Sequence, residues 1–458
     1  MPQRSRLFSI AFLFLLATNY AFAADSVPPE NLTSLITTAL ADNPELKSSQ
    51  SRWQMFVSKS RQIGALDDPM FMFKLQNLVA RDPTSFDKDP QTAKVIGISQ
   101  QLPFWGKRAL KQEVAQYEAE SYKWAMEERK LELARMVKES YYQLYAVDKS
   151  LEIIEKNLRI LTDFTTIAES KYSVGQGVQQ DIYKAGLEKS KLLDMQITLR
   201  QQRKSLEATL NYLLYRPDAT SIGKIADFEL PKQSLSAQQL KETAYEKRPQ
   251  IKSLTSLTNK GQASRRLAQK EFYPDFNLFF EYMFREESMN DPGYNMFTIG
   301  FTFNLPLQRE RRHAMVAEAS SETTMSQEEL NALKNSISYS VNDLLAQLER
   351  RRKLVELYQG GIIPQAEQSL ESAVISYKVN KVDFLTLLDG RVNLFNYERE
   401  LYESQAEYMV KLAQLEAVIG TDLGSLPAAQ VALPPTTQAE RSPPPAAVLS
   451  TAEHSQHK

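Results

Sequence analysis

The chain of 458 residues contains no cysteine. That excludes thiol nucleophiles, disulfides, iron–sulfur ligation and a lipid anchor on a cysteine behind a leader segment. Histidine is almost missing too: His313, His454 and His457 are too few and too dispersed for a metal cluster. No charge of one sign dominates, since 55 basic residues face 56 acidic ones. Nothing therefore calls for nucleic acid, and the Lys and Arg scattered along helical stretches read as solvated faces. Beyond the first residues, charges interrupt every long apolar stretch, so no transmembrane helix is expected. A Gly-rich phosphate loop and a Ser-His-Asp signature are also lacking, which leaves little ground for an enzyme, and no cofactor is expected.

The N-terminus has the features of an export leader. Arg4 and Arg6 form a basic start, Leu7 to Ala17 is apolar, and Ala21-Phe22-Ala23 fits a small-x-small cleavage site. Residues 1–23 are thus expected to be a signal peptide. An uncleaved anchor fits less well, because the run is shorter than the roughly 20 residues of a spanning helix.

Residues 25–65 read as helix with a break at Asn43-Pro44, and Asp67-Asp68-Pro69 ends the helical pattern. Four short amphipathic strands are expected in two distant pairs. Phe71, Phe73 and Leu75 alternate with Met72, Lys74 and Gln76, and Ile96 and Ile98 alternate with Gly97 and Ser99. Phe276, Leu278, Phe280, Tyr282 and Phe284 share one face, opposite Asn277, Glu281 and Arg285. Phe297, Ile299, Phe301 and Phe303 follow after the turn signal Asn290-Asp291-Pro292-Gly293. An aromatic face opposite a polar one, over about ten residues, is the pattern of a membrane β-barrel strand. A soluble sheet with one face on a core has the same alternation, and by itself is the commoner origin of it. The leader and the density of aromatics favour the membrane. Four strands cannot close a barrel, which needs at least about eight, and lipid does not tolerate open edges. Several copies must then contribute to one barrel.

The rest reads as helix. From Lys107 to Lys171 there is no proline or glycine. Val137, Tyr141, Leu144, Leu151, Ile154, Leu158 and Leu161 recur at coiled-coil spacing, as do Leu330, Leu333, Ile337, Val341, Leu344, Leu348, Val355 and Tyr358. Returning helices are expected over about 179–215 and 384–419. Two halves repeat: Ile96-Gly97-Ile98 and Leu102-Pro103 recur roughly 200 residues later as Ile299-Gly300-Phe301 and Leu305-Pro306, and Tyr172-Ser173-Val174-Gly175 recurs as Tyr377-Lys378-Val379-Asn380. Expected units are 24–225 and 226–426, followed by a Pro/Ala-rich tail, 427–458, of disordered composition.

These features resemble the TolC-type outer-membrane efflux factors over about 31–423. The carriers are the junction Gln101-Leu102-Pro103-Phe104-Trp105-Gly106-Lys107-Arg108, the two reversals, and Asp383-Phe384-Leu385-Thr386-Leu387-Leu388-Asp389-Gly390. The junction and the run from Val382 to Asp389 look most like the heavy-metal branch. The resemblance implies a mostly α protein with a membrane β-barrel: a homotrimeric duct with four strands per protomer and long coiled-coil helices in the periplasm. Its partners would be a periplasmic adaptor, an inner-membrane pump and outer-membrane lipid. By motif position Asp181 and Tyr377 match a latch between helices, and Asp389 an aperture acid. Thr386 falls where other members carry a second acid, with Asp383 as a substitute. Gly175 and Asn380 match the tips that dock the adaptor, although Asn380 departs from the usual glycine. Phe104 and Trp105 match the membrane boundary. Packing or turn geometry accounts for several of these residues equally well, and an ordinary solvated position for Asp389. Met70 and Met72 are soft donors for copper or silver, but methionine on a strand is more often filler. Two other readings are a soluble periplasmic coiled-coil scaffold and a duct for organic compounds rather than metals.

Overall fold

A computed structural model of the chain describes residues 31–231 and 236–423. The expected leader, the tail and its His454 and His457 lie outside the described residues. The first half runs α1 (Leu32–Asp42), α2 (Pro44–Gly64), β1 (Met70–Gln76), β2 (Ala93–Leu102), α3 (Lys107–Ser173) and α4 (Gln179–Leu214). The second runs α5 (Ala237–Lys247), α6 (Pro249–Lys270), β3 (Phe276–Arg285), β4 (Met296–Phe303) and α7 (Arg309–Leu357). A π turn, Tyr358–Ile362, then leads into α8 (Ile363–Lys378) and α9 (Phe384–Ile419).

Asn43 explains the break between α1 and α2. Its side chain caps α2 by accepting from the Glu45 and Leu46 amides at 3.0 and 3.2 Å, and donates to the Leu213 carbonyl at 3.1 Å. Pro44 then sits in the first turn, where its missing N–H costs nothing. The same break separates α5 from α6 at Arg248-Pro249, and there Glu128 of α3 takes the Arg248 guanidinium and the Gln250 amide. Neither α5 nor α6 is anticipated by the pattern of large apolar residues. The buried face of α6 includes Ser256, Thr258, Gly261, Ala263 and Ala268, which give no hydrophobic period. Those small side chains let α6 approach α7 closely, and a Cβ on Gly261 would lie 2.6 Å from the Thr323 hydroxyl.

The four strands form one antiparallel sheet in the order β1-β2-β3-β4, so β2 and β3 join the two halves. The register aligns Phe73, Ile96, Tyr282 and Phe297 across one face, and Phe71, Ile98, Phe280 and Ile299 beside them. Nothing among the described residues covers this face: Phe71 is 73 % exposed, and Phe297, Ile299 and Phe301 are each 67 % exposed. On the opposite face Lys74 and Glu281 pair at 2.9 Å across Gly97. This face is less polar than the alternation suggests. Phe279 and Met283 belong to it, and the Phe279 ring lies over Gly300, where a Cβ would come within 2.4 Å of it. Arg285 does not project freely into a lumen. Its guanidinium bonds the Pro90 carbonyl and the Asp291 carboxylate, tying the β1–β2 and β3–β4 turns together.

Helix α3 has 67 residues, about 100 Å at 1.5 Å per residue. The expected heptad positions Val137, Leu144, Ile154 and Leu161 are buried, and so are Ile337, Val341, Leu348 and Val355 of α7. Helix α9 contributes to three buried clusters: with α1, α3 and α4, with α5–α7, and with α3, α4 and α8. The second long helix is interrupted where the first is not. Pro364 has no N–H to offer the carbonyl four residues back, and Gly360-Gly361 lets the chain take a wider turn in which the Ile363 amide reaches the Tyr358 carbonyl.

Sheet and helices meet at Lys107. Its side chain is 1 % exposed, and its ammonium lies 3.0 Å from Asp275, 3.2 Å from Glu271 and 3.0 Å from the Tyr273 carbonyl. A cation in the first turn of a helix opposes the macrodipole, so these acceptors are what hold it there. The bonds clamp the β2–α3 junction to the α6–β3 junction. We predict that Lys107→Met costs about 1–3 kcal/mol, since it strips charged partners from two half-buried carboxylates. Unchanged denaturant unfolding of the variant would remove Lys107 from this role.

Candidate aperture and helix tips

The two reversals have one geometry. Helix α3 ends at Ser173, and the Gly175 and Gln176 amides donate to the Tyr172 and Lys171 carbonyls at 3.0 and 2.8 Å. Helix α8 ends at Lys378, and the Asn380 and Lys381 amides donate to the Tyr377 and Ser376 carbonyls at 3.1 and 2.9 Å. Gly175 and Asn380 occupy the same left-handed position, with φ of 73° and 59°. That backbone suits glycine and is tolerated by asparagine, so the expected turn residues are in the expected places.

Tyr377 is buried beneath the second tip and packs against Phe384 with ring centroids 5.6 Å apart. Burial pushes its phenol pKa up, and the charge of Asp181 pushes it further. Asp181 lies in the first turn of α4. Partial burial raises its pKa, Lys184 opposes the rise, and Asp383 adds to it. Acid and phenol are thus electrostatic neighbours, but no hydrogen bond joins them within the chain.

Asp383 is the N-cap of α9. Its Oδ1 accepts from the Thr386 amide at 2.9 Å and also from the Thr386 hydroxyl, and these bonds hold its pKa below the usual carboxylate range. Thr386 thereby belongs to the cap. Asp389 is exposed on α9, on the side away from the buried Phe384, Leu387 and Leu388. Arg391 is buried instead, and its Nε donates to Asn157 of α3 at 2.6 Å. Phe104 and Trp105 lie far along the fold from the tips, at the strand–helix junction. Phe104 stacks on Tyr273 at 4.5 Å, and Trp105 is 76 % exposed beside Phe276. Met70 and Met72 are on the polar side of β1, and His313 packs its ring on Phe272. Among the described residues no three His, Asp or Glu side chains converge as metal ligands.

Sequence reasoning missed Lys171. From the last turn of α3 its ammonium donates to the Tyr377 carbonyl at 2.7 Å and to the Asn380 side-chain oxygen, and it lies 4.3 Å from the centroid of the Tyr377 ring. The only signal for it was that Asn380 stands where glycine is usual.

Two reversals, an uncovered aromatic sheet and paired long helices are the features that the comparisons with known proteins address. The model of the outer membrane efflux protein family matches residues 35–214 and again 240–421. The chain belongs to the outer membrane efflux protein family. No curated protein matches it. Among solved structures it is similar to the outer membrane protein VceC of Vibrio cholerae, with a TM-score of 0.72 and 17 % identity, covering 85 % of this chain and 96 % of VceC. CusC aligns with a TM-score of 0.70 and 18 % identity over 92 % of this chain and 99 % of its own. The open MtrE channel of Neisseria gonorrhoeae aligns with a TM-score of 0.70 and 16 % identity over 86 % and 89 %. At these identities the likeness concerns the fold. No helix among the described residues is long and apolar enough to cross a membrane.

The tip carboxylates should titrate in order. The raised pKa of Asp181 means its charged form is disfavoured by the fold, so protonation stabilises the tip as pH falls through that value. Asp383 behaves oppositely: its cap contributes above the ordinary carboxylate range and is lost as pH falls through its lowered value. On acidification Asp181 should therefore be neutralised first, with α9 still capped. Hydrogen exchange across 379–387 should show more protection in Asp181→Asn at neutral pH and less in Asp383→Ala. The opposite order would show that the two acids do not share one field.

Proposed function

We propose that this chain is one protomer of a homotrimeric outer-membrane exit duct. It conducts substrate passively from an inner-membrane pump and a periplasmic adaptor to the exterior. The supporting observation is the sheet: four strands with an uncovered aromatic face and two edges that no described residue pairs. In lipid such edges must be closed, and three sheets of four strands give a twelve-stranded barrel. The repeated element order and the doubled family match support two units, 24–225 and 226–426, that wrap as successive staves of one wall. The helices extend into the periplasm, and the turns after Gly175 and Asn380 face the adaptor.

Heavy-metal cations are the proposed cargo. This rests on the resemblance of the junction and of the run from Val382 to Asp389, and the extent of the CusC alignment is compatible with it. The exposed Asp389 supplies one carboxylate per protomer to the aperture, so three would ring the axis and favour cations. Asp181 and Tyr377 form the latch beside it, with Asp383 holding the start of α9.

Crosslinking in native membranes tests the assembly and should give a three-protomer band, whereas a detergent-free monomer would sink the reading. Phe280→Arg should lower barrel stability by about 2–4 kcal/mol, against much less for Thr298→Arg on the opposite face. Equal losses at the two positions would argue against a spanning strand.

At the aperture, planar-bilayer recording separates two effects. Tyr377→Phe with Asp181→Ala should enlarge the resting conductance, and Asp389→Ala should reduce cation preference while leaving the conductance low. If the double variant conducts like the parent, the latch lies elsewhere. An unaltered selectivity in Asp389→Ala would move the constriction away from that residue.

A further inference from the structure

We infer that Lys171 is a pin that locks the two helical hairpins of a protomer to each other at their tips, and that Asn380 is present to receive it. The inference rests on the duct reading for its consequence, but not for its geometry.

The argument starts from an asymmetry. The two tips have matching backbone hydrogen bonds, so Lys171 corresponds to Ser376 and Gly175 to Asn380. Glycine serves the left-handed position at the first tip without strain. At the second tip an asparagine takes the same conformation at φ 59°, which a Cβ disfavours. Nothing in the turn itself calls for that side chain. Its oxygen instead accepts the Lys171 ammonium from the other hairpin, 209 residues away in sequence. The residue opposite the asparagine is the lysine, and its own counterpart at the second tip is only a serine. Each departure from symmetry thus has the other as its partner.

Lys171 makes two further contacts on the same side of the tip. Its ammonium takes the Tyr377 carbonyl at 2.7 Å, one of the last carbonyls of α8, and it sits 4.3 Å from the Tyr377 ring. A cation there complements the negative end of α3, on whose last turn it sits, and that of α8, whose Tyr377 carbonyl it takes. It also fixes the ring whose phenol faces Asp181. The α8–α9 hairpin cannot move away from α3 without breaking all three contacts. Helix α8 packs on α9 through the partly buried Leu370, Ala373 and Val374, and Tyr377 is its sole fully buried residue among those described. Lys171 is therefore a positioning residue: it sets where Tyr377 stands, and through Tyr377 the latch.

Asparagine 380 makes the idea testable without risk to the turn, since Asn380→Gly suits the left-handed backbone at least as well and deletes only the acceptor. The chain has no cysteine, so spin labels on cysteines introduced at the exposed Glu169 and Ser372 report the gap between α3 and α8 without background. In purified detergent-solubilised protein, Asn380→Gly and Lys171→Met should each broaden this distance distribution toward longer values. The double variant should add little to Lys171→Met, because the asparagine contact is one of the three that the lysine makes. Lys171→Arg, which keeps the donors, should restore the narrow distribution. In planar bilayers the first two variants should raise the open population about tenfold, the scale of one charge-assisted contact. Distributions identical to the parent, or effects of the two substitutions that simply add, would overturn the pin. A parent protein that shows the pinned distance yet never conducts would overturn the duct reading and leave the pin standing.

Discussion

An amphipathic sheet that its own chain does not cover is the constraint on which the rest of this structure depends. Across β1 to β4 the register gathers phenylalanine, tyrosine and isoleucine on one face, and no described helix or loop packs on it. In water such a face would drive association, and in lipid it is already solvated. The backbone adds a second demand, because edge N–H and C=O groups need partners wherever water is absent. With the sheet in a membrane, as proposed, a single copy is incomplete, and the long helices continue the wall away from the membrane.

Long elements need fixing points, and the structure supplies them as charged pairs between segments remote in sequence. Lys107 clamps the two strand–helix junctions, Glu128 caps α6 through Arg248 and Gln250, and Arg203 of α4 bonds Asp148 of α3 at 2.7 Å. The first two lie where the chain changes direction, and Arg203 also takes the Ile222 carbonyl of the connector after α4. Between them the heptad positions do the ordinary work of coiled-coil packing, and α9 carries its apolar residues into all three clusters. The wall is thus stiff along its length. Its least anchored part is α8, which is joined to α7 by the π turn and held at the far end by Tyr377 and Lys171.

The tip concentrates groups whose charges oppose or complete one another. Asp383 disfavours the ionisation of Asp181 at the neighbouring helix start, Lys184 partly offsets this, and Asp383 itself is held ionised by its cap. Tyr377 is buried, with the charge of Asp181 acting on its phenol and the Lys171 ammonium near its ring. The backbone turns are well bonded, and at the tips one cation joins the two hairpins, while farther from the tips Leu387, Leu388 and Phe395 of α9 share a buried cluster with Ile154, Leu161 and Phe164 of α3.

Much of this was legible in the residue pattern, because strands and helices announce themselves locally. Period-two apolar residues marked all four strands, aromatic on β1, β3 and β4 and aliphatic on β2, and the stretch from Lys107 without proline or glycine marked α3. Asn43-Pro44, Gly175 and Asn380 marked breaks and reversals through their backbone preferences. The doubled motifs pointed to the two reversals, which share one backbone geometry. The pattern failed where burial is not made of large apolar groups, as on α6, whose small side chains serve close approach to α7. It passed over the π turn, although Gly360-Gly361 before Pro364 carried the signal. It gave no role to Phe279, whose ring fills the space left by Gly300 on the next strand. Local periodicity says which way a side chain points, but not which remote residue it will meet. Lys107 with Asp275, Arg285 with Asp291 and Pro90, and Lys171 with Asn380 became visible only once folding had brought those segments together.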